Sequence, residues 1–165
     1  MRNKVKPIAF GGILAALAVV IMSMGGLIPI ATYACPILCA ILQYTVLRFC
    51  GRRIAWAWYG VVAILSLLLG PDKEAAAVFV FLGYYPILKP GIDKLPAKWL
   101  WKAILFNAAV LSMYWLLIHL MGMAQLAEEF SEFGKAMTVV MLVFGNAIFF
   151  LLDMVLDKYG KMGRR

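Results

Sequence analysis

The chain has 165 residues, of which 65% are hydrophobic and only 15% charged, and its mean hydropathy is +0.91. Too little polar sequence is present to cover a water-soluble surface, so the composition excludes a soluble globular domain and indicates a protein embedded in a lipid bilayer. The formal charge of +8 does not indicate a nucleic-acid partner, because the basic residues stand in short groups between apolar runs and read as topology signals.

Arg2, Lys4 and Lys6 precede an apolar run over residues 8–30. The run is longer than the roughly 7–15 residues of a secretory signal core, and no polar mature sequence follows, so this first span is expected to remain uncleaved. The segment Thr32-Tyr33-Ala34-Cys35 is a poor lipoprotein processing site, since bulky Tyr33 stands where a small residue is wanted. Within the span, Gly11 and Ala15, and again Gly12 and Ala16, place small residues one turn apart, a spacing that lets another helix approach closely in lipid. The glycines and proline of residues 25–29 end it.

A second span is expected over residues 31–49 and a third over 54–70, with Arg48, Arg52 and Arg53 at the joint. The fourth, residues 71–89, opens on Asp72, Lys73 and Glu74 and then runs apolar through Gly83-Tyr84-Tyr85-Pro86. Read as one helix, it sets Lys73 and Glu74 about three turns above Tyr84 and Tyr85 on nearly the same stripe. Residues 89–98 read as a loop with three lysines, two prolines and a glycine. A fifth span is expected over 99–123, a short amphipathic surface helix over 124–135 with Glu128, Glu129, Glu132, Phe130 and Phe133, and a sixth span over 136–156. The expected fold is therefore one all-α domain, a polytopic bundle of six transmembrane helices. Fourteen basic residues fall on the side of the two termini and only Lys73 and Lys135 on the other, which predicts cytoplasmic ends and places the chain in the cytoplasmic (inner) membrane.

Catalytic signatures are missing from the sequence. Cys35, Cys39 and Cys50 are an odd set in apolar surroundings and read as small buried hydrophobes, and His119 is the only histidine, so a metal site lacks ligands. No phosphate-binding glycine loop or metalloprotease helix motif is present. The chain is expected not to be an enzyme and to carry no cofactor. What remains is polar side chains at membrane depth. Counted from the outer helix ends, Gln43 lies about 18 Å in, Tyr84 about 15 Å, Asn107 about 21 Å and Asn146 about 15 Å, all near the midplane. Tyr114 stands seven residues from Asn107 on one helix face and extends the polar stripe outward. These groups either hold helices together or line a solute site. The expected substrate-binding set is Asp72, Lys73 and Glu74 at a mouth, with Tyr84, Asn107, Tyr114 and Asn146 below.

The size, the six spans, the small-residue first helix and the pair Asp72-Lys73-Glu74-Ala75-Ala76 with Gly83-Tyr84-Tyr85-Pro86 together resemble the substrate-binding S components of energy-coupling factor transporters, in a poorly characterised bacterial branch. The resemblance implies capture of a small, vitamin-like solute from outside, with energy supplied by a transmembrane coupling subunit and two ATPases. It also implies a docking face on the first helix, where the family's Ala-x-x-x-Ala pattern has its counterpart here in Gly11, Gly12, Ala15 and Ala16. The alternative is a non-transporting polytopic scaffold of a cell-envelope assembly.

Overall fold

The computed structural model describes residues 2–27, 31–119 and 124–162, and the side chains of 6–26, 31–116, 139–140 and 142–161. Helix accounts for 91% of the structure, and no strand occurs among the described residues. The chain divides into two compact units, Met1–Leu95 and Pro96–Arg165. The first holds α1 (Arg2–Ser23), a short 3-10 turn (Gly25–Leu27), α2 (Ala31–Cys50), α3 (Arg52–Leu69), α4 (Lys73–Leu82) and α5 (Tyr85–Ile92). The second holds α6 (Lys98–His119) and α7 (Ala124–Met162).

Among the described residues, five segments are long and apolar enough to cross a membrane: Lys6–Ser23, Ala31–Cys50, Arg52–Leu69, Lys73–Ile92 and Lys98–Leu116. Their outer faces carry large apolar side chains in the open, such as Ile13 at 69%, Leu68 at 71% and Ile64 at 59% exposure. A surface of that kind suits lipid and not water, and with the composition it makes this a membrane protein. The Lys73–Ile92 span differs from the others in being 61% buried, against 17–33% for the rest, so it is the most enclosed of the five.

The first unit is organised on α2, which packs against α1, α3, α4 and α5. Its core draws Ala18 and Met22 from α1, Cys35, Cys39 and Val46 from α2, Ala55, Trp58 and Val62 from α3, Ala75 and Phe79 from α4 and Ile87 from α5. Many of these are small, as expected where helix association rests on close packing and not on a hydrophobic gain. The cysteines are free, and two serve as weak donors across helices: Cys39 Sγ to the Ala18 carbonyl at 3.5 Å, and Cys50 Sγ to the Pro7 carbonyl at 3.1 Å. A single residue, Gly51, joins α2 to α3, and its φ of +87° requires glycine.

The helix boundaries depart from the expected ones in four places. The first helix begins at Arg2, ahead of the apolar run, and ends at Ser23, where Gly25 and Gly26 turn the chain into the 3-10 turn as expected; residues 28–30 lie outside the described residues. The fourth span, Lys73–Ile92, is kinked into two helical pieces, with Gly83 (φ −63°, ψ −22°) and Tyr84 (φ −76°, ψ −13°) at the kink still in the right-handed helical region. Pro86 has no N–H to return to the Leu82 carbonyl, so α4 stops at Leu82 and α5 restarts at Tyr85, with Ile87 N bonded to the Tyr84 carbonyl at 3.0 Å. Lys89 and Pro90 belong to α5, which shortens the expected loop to residues 93–97. Finally, the expected surface helix and sixth span form one helix, α7, of 39 residues. At about 58 Å it is longer than the ~30 Å hydrocarbon core. The side chains of Glu128, Glu129, Phe130, Glu132 and Phe133, and that of His119, lie outside the described residues.

Candidate functional site

One tip of the first unit is built around the start of α4. Asp72 is its N-cap: the carboxylate accepts from Ala75 N at 3.0 Å and from Thr32 Oγ1 of α2 at 2.7 Å. A cap of this type contributes about 0.5–2 kcal/mol. Gly25 comes so close that a Cβ there would lie 3.2 Å from Ala75 Cβ and 3.5 Å from Asp72 Cβ. Lys73 turns back onto the preceding helix and donates to the carbonyls of Leu67 at 2.8 Å and Gly70 at 3.0 Å, closing the end of α3. Glu74 accepts from the Tyr33 hydroxyl at 2.9 Å, in an exposed position. All three charged residues of the expected mouth therefore hold the tips of α2, α3 and α4 together.

Below the tip, the break between α4 and α5 is wrapped in aromatic rings. The Tyr59 hydroxyl donates to the Val80 carbonyl in the last turn of α4, which supplies a partner where the helix can no longer continue. Its ring lies 5.8 Å from that of Phe79 and 6.2 Å from that of Tyr84, and Trp58 lies 6.4 Å from Phe79 on the other side. Tyr84 stands at the break itself, as the residue before α5, and is half-buried. Its hydroxyl makes no hydrogen bond among the described residues. The charged groups of the expected vertical stripe do not face the tyrosines as free groups, since Lys73 is bonded to carbonyls of residues 67 and 70 and Glu74 to Tyr33 of α2.

Asn107, Tyr114 and Asn146 belong to the second unit, and Asp72, Lys73, Glu74 and Tyr84 to the first. Asn107 and Asn146 form a reciprocal amide pair between α6 and α7, with N–O distances of 3.2 and 3.0 Å. Each amide nitrogen also donates to the carbonyl four residues earlier, Ala103 and Leu142, at 2.8 Å. Tyr114 is half-buried on α6. The helices approach closely here, for a Cβ on Gly145 would lie 3.2 Å from Phe106 Cζ, and Phe106 stacks on Phe149 at 4.8 Å. Helix-to-helix amide pairs in membranes contribute about 0.6 kcal/mol on average and about 1.7 at most. The four small residues of α1 also divide. Gly11 is buried with Ile54 Cγ2 3.5 Å from a would-be Cβ, and Ala15 packs on the core, while Gly12 and Ala16 are exposed.

Two features lie outside the expected substrate-binding set. Lys102 on α6 and Asp153 on α7 form an ion pair at 2.8 Å with both side chains 1% exposed, and the Trp99 ring lies 5.3 Å from the ammonium. An aspartate flanked by Leu151, Leu152, Met154 and Val155 was the available signal, because a carboxylate in an apolar span is costly without a partner. The other is Gln43 on α2, fully buried with both amide atoms unpartnered, together with Trp58 Nε1 and Ser66 Oγ in the same condition on α3. No group of three potential metal ligands occurs among the described residues. Comparison with protein-family models, with curated proteins and with solved structures finds no match.

Proposed function

We propose that the chain is a membrane-embedded binding subunit for a small solute, of the kind the resemblance to energy-coupling factor S components implies, with uptake energised by separate coupling and ATPase subunits. The observation that carries this reading is the break in the most enclosed span. Interrupted helices are a recurring way to build solute sites in membranes, because backbone groups freed from the helical ladder need another partner, as the Val80 carbonyl finds in the Tyr59 hydroxyl. Here the break is walled by Tyr59 and Phe79 and presents the Tyr84 phenol, the mixture of apolar walls and few polar groups that small-molecule sites use. Gly12 and Ala16, left exposed on α1, supply a small-residue face for a helix of the coupling subunit.

In this reading the described spans and the apolar part of α7 make six crossings of the cytoplasmic membrane, with both termini cytoplasmic as the basic residues require. Single cysteines introduced at residues 71 and 93, in a variant lacking the native three, test the orientation. An impermeant thiol reagent should label residue 71 from outside intact cells and residue 93 only after lysis. Labelling of residue 93 from outside reverses the topology.

One observation favours the second reading, a scaffold without a solute: Asp72, Lys73, Glu74, Asn107 and Asn146 all have partners within the protein. A thermal-shift screen of the purified full chain separates the two. A solute that binds only the folded form raises its melting temperature saturably, whereas a scaffold responds to none.

A further inference from the structure

Among the described residues, the buried polar groups that find no partner lie in the first unit, on the buried faces of α2 and α3. Gln43 lies between Cys39 and Val46 on the buried stripe of α2, and Trp58 lies between Ala55 and Val62 on that of α3. Because α2 and α3 are packed helices joined by the single residue Gly51, they run antiparallel, and positions equally far from the joint share a level. Gln43 is eight residues before Gly51 and Trp58 seven after it, so both stand about 10–12 Å from the turn. Ser66 is eight residues beyond Trp58, about 12 Å farther along, and belongs to a different level.

Gln43 is 0% exposed and Trp58 4%, and neither Gln43 Nε2, Gln43 Oε1 nor Trp58 Nε1 has a hydrogen-bond partner. A buried amide with both ends unsatisfied is costly, and native proteins keep such groups where a water or a ligand completes them. Trp58 is linked to the proposed site by ring contacts: its ring meets Phe79, Phe79 meets Tyr59, and Tyr59 meets Tyr84 at the kink.

The geometry points to Gln43 and Trp58 as a recognition locus for an uncharged solute with a planar amide or lactam edge. This rests on the solute-binding reading above and names the class of solute. A primary carboxamide offers donors and an acceptor side by side, and its natural complement is the same edge on another molecule. The chain itself makes that pairing between Asn107 and Asn146. The Trp58 indole adds one donor and therefore asks for one further acceptor on the solute. No charged residue occurs on the buried stripes of α2 or α3, so an anion or cation would enter without neutralisation. The aromatic walls suit a flat ring.

The test uses the full chain in detergent and two neutral probes, nicotinamide and uracil, each beside a charged counterpart, nicotinate and orotate, read by thermal shift and isothermal titration. At least one neutral probe should raise the melting temperature saturably while its charged counterpart does not. Gln43→Leu should weaken that probe about 5- to 150-fold, the range for losing a buried hydrogen-bond partner. The same variant without probe should melt higher than the parent, because an unsatisfied amide has been removed. Trp58→Phe, which keeps a ring and loses the N–H, should also weaken the probe, and Ser66→Ala should leave it unchanged. Three results overturn the inference: no neutral probe acts on the parent, as expected if water alone completes Gln43; a charged counterpart acts as strongly; or Gln43→Leu keeps full affinity. If a charged solute binds and Tyr84→Phe weakens it, the solute-binding reading stands and only the Gln43 locus falls. If nothing binds in a broad screen, both fall.

Discussion

Asp153→Leu is expected to destabilise the α6–α7 unit by about 3–5 kcal/mol, the typical cost of removing one member of a buried ion pair. The carboxylate it deletes lies 2.8 Å from the Lys102 ammonium, and both side chains are 1% exposed. The loss should appear as a lower melting temperature and a smaller monodisperse fraction in size-exclusion chromatography. Lys102→Met should act in the same direction. The double variant Lys102→Met/Asp153→Leu should recover most of the loss, because two apolar side chains of similar volume need no neutralisation. A double variant as unstable as the worse single one would mean that the pair does more than neutralise itself.

Gly83→Ala is expected to disrupt the break between α4 and α5. A Cβ at this position would lie 2.5 Å from the Phe79 carbonyl oxygen and 2.8 Å from its ring carbon Cε2. The ring can move, but the carbonyl cannot without unwinding the last turn of α4, whose Gly83 N to Phe79 O bond is 2.7 Å. Overpacking of this kind costs about 1–3 kcal/mol. Phe79→Leu in the same chain should not restore stability, since it relieves only the ring. Full recovery in that double variant would show that the backbone at the break yields readily, and the reading of a fixed, preformed break would be lost.

The tip of the first unit was partly legible in the sequence. Asp72 followed by Lys73-Glu74-Ala75 reads as a helix start, and it caps α4 as such a residue should. That Lys73 turns back to Leu67 and Gly70 depends on where α3 ends and how sharply the chain reverses at Pro71, which charge and spacing do not specify. The kink at Gly83-Tyr84 was visible in Pro86, whose missing N–H leaves the Leu82 carbonyl without its helical donor, although α2 runs on through Pro36. Apolar content alone favoured a single span there. The depth estimates put Asn107 and Asn146 near the midplane, and these two do meet, because amides in lipid-facing helices seek one another. The Lys102–Asp153 pair joins residues 51 apart, and counting Lys102 among the loop charges hid it. Gln43 was legible by depth, but its lack of a partner is a property of packing and appears only in three dimensions.

The central claim, that this membrane protein binds a solute at the broken span, is tested most directly by native mass spectrometry of the purified full chain after incubation with a small-molecule extract of the cells that make it. The account predicts a saturable one-to-one adduct that is neither lipid nor detergent. Its affinity should fall about 5- to 150-fold in Tyr84→Phe, which loses one hydroxyl, while the melting temperature of the free variant stays the same. A chain that carries only lipid and detergent at every concentration, or an adduct that Tyr84→Phe binds equally well, would contradict it.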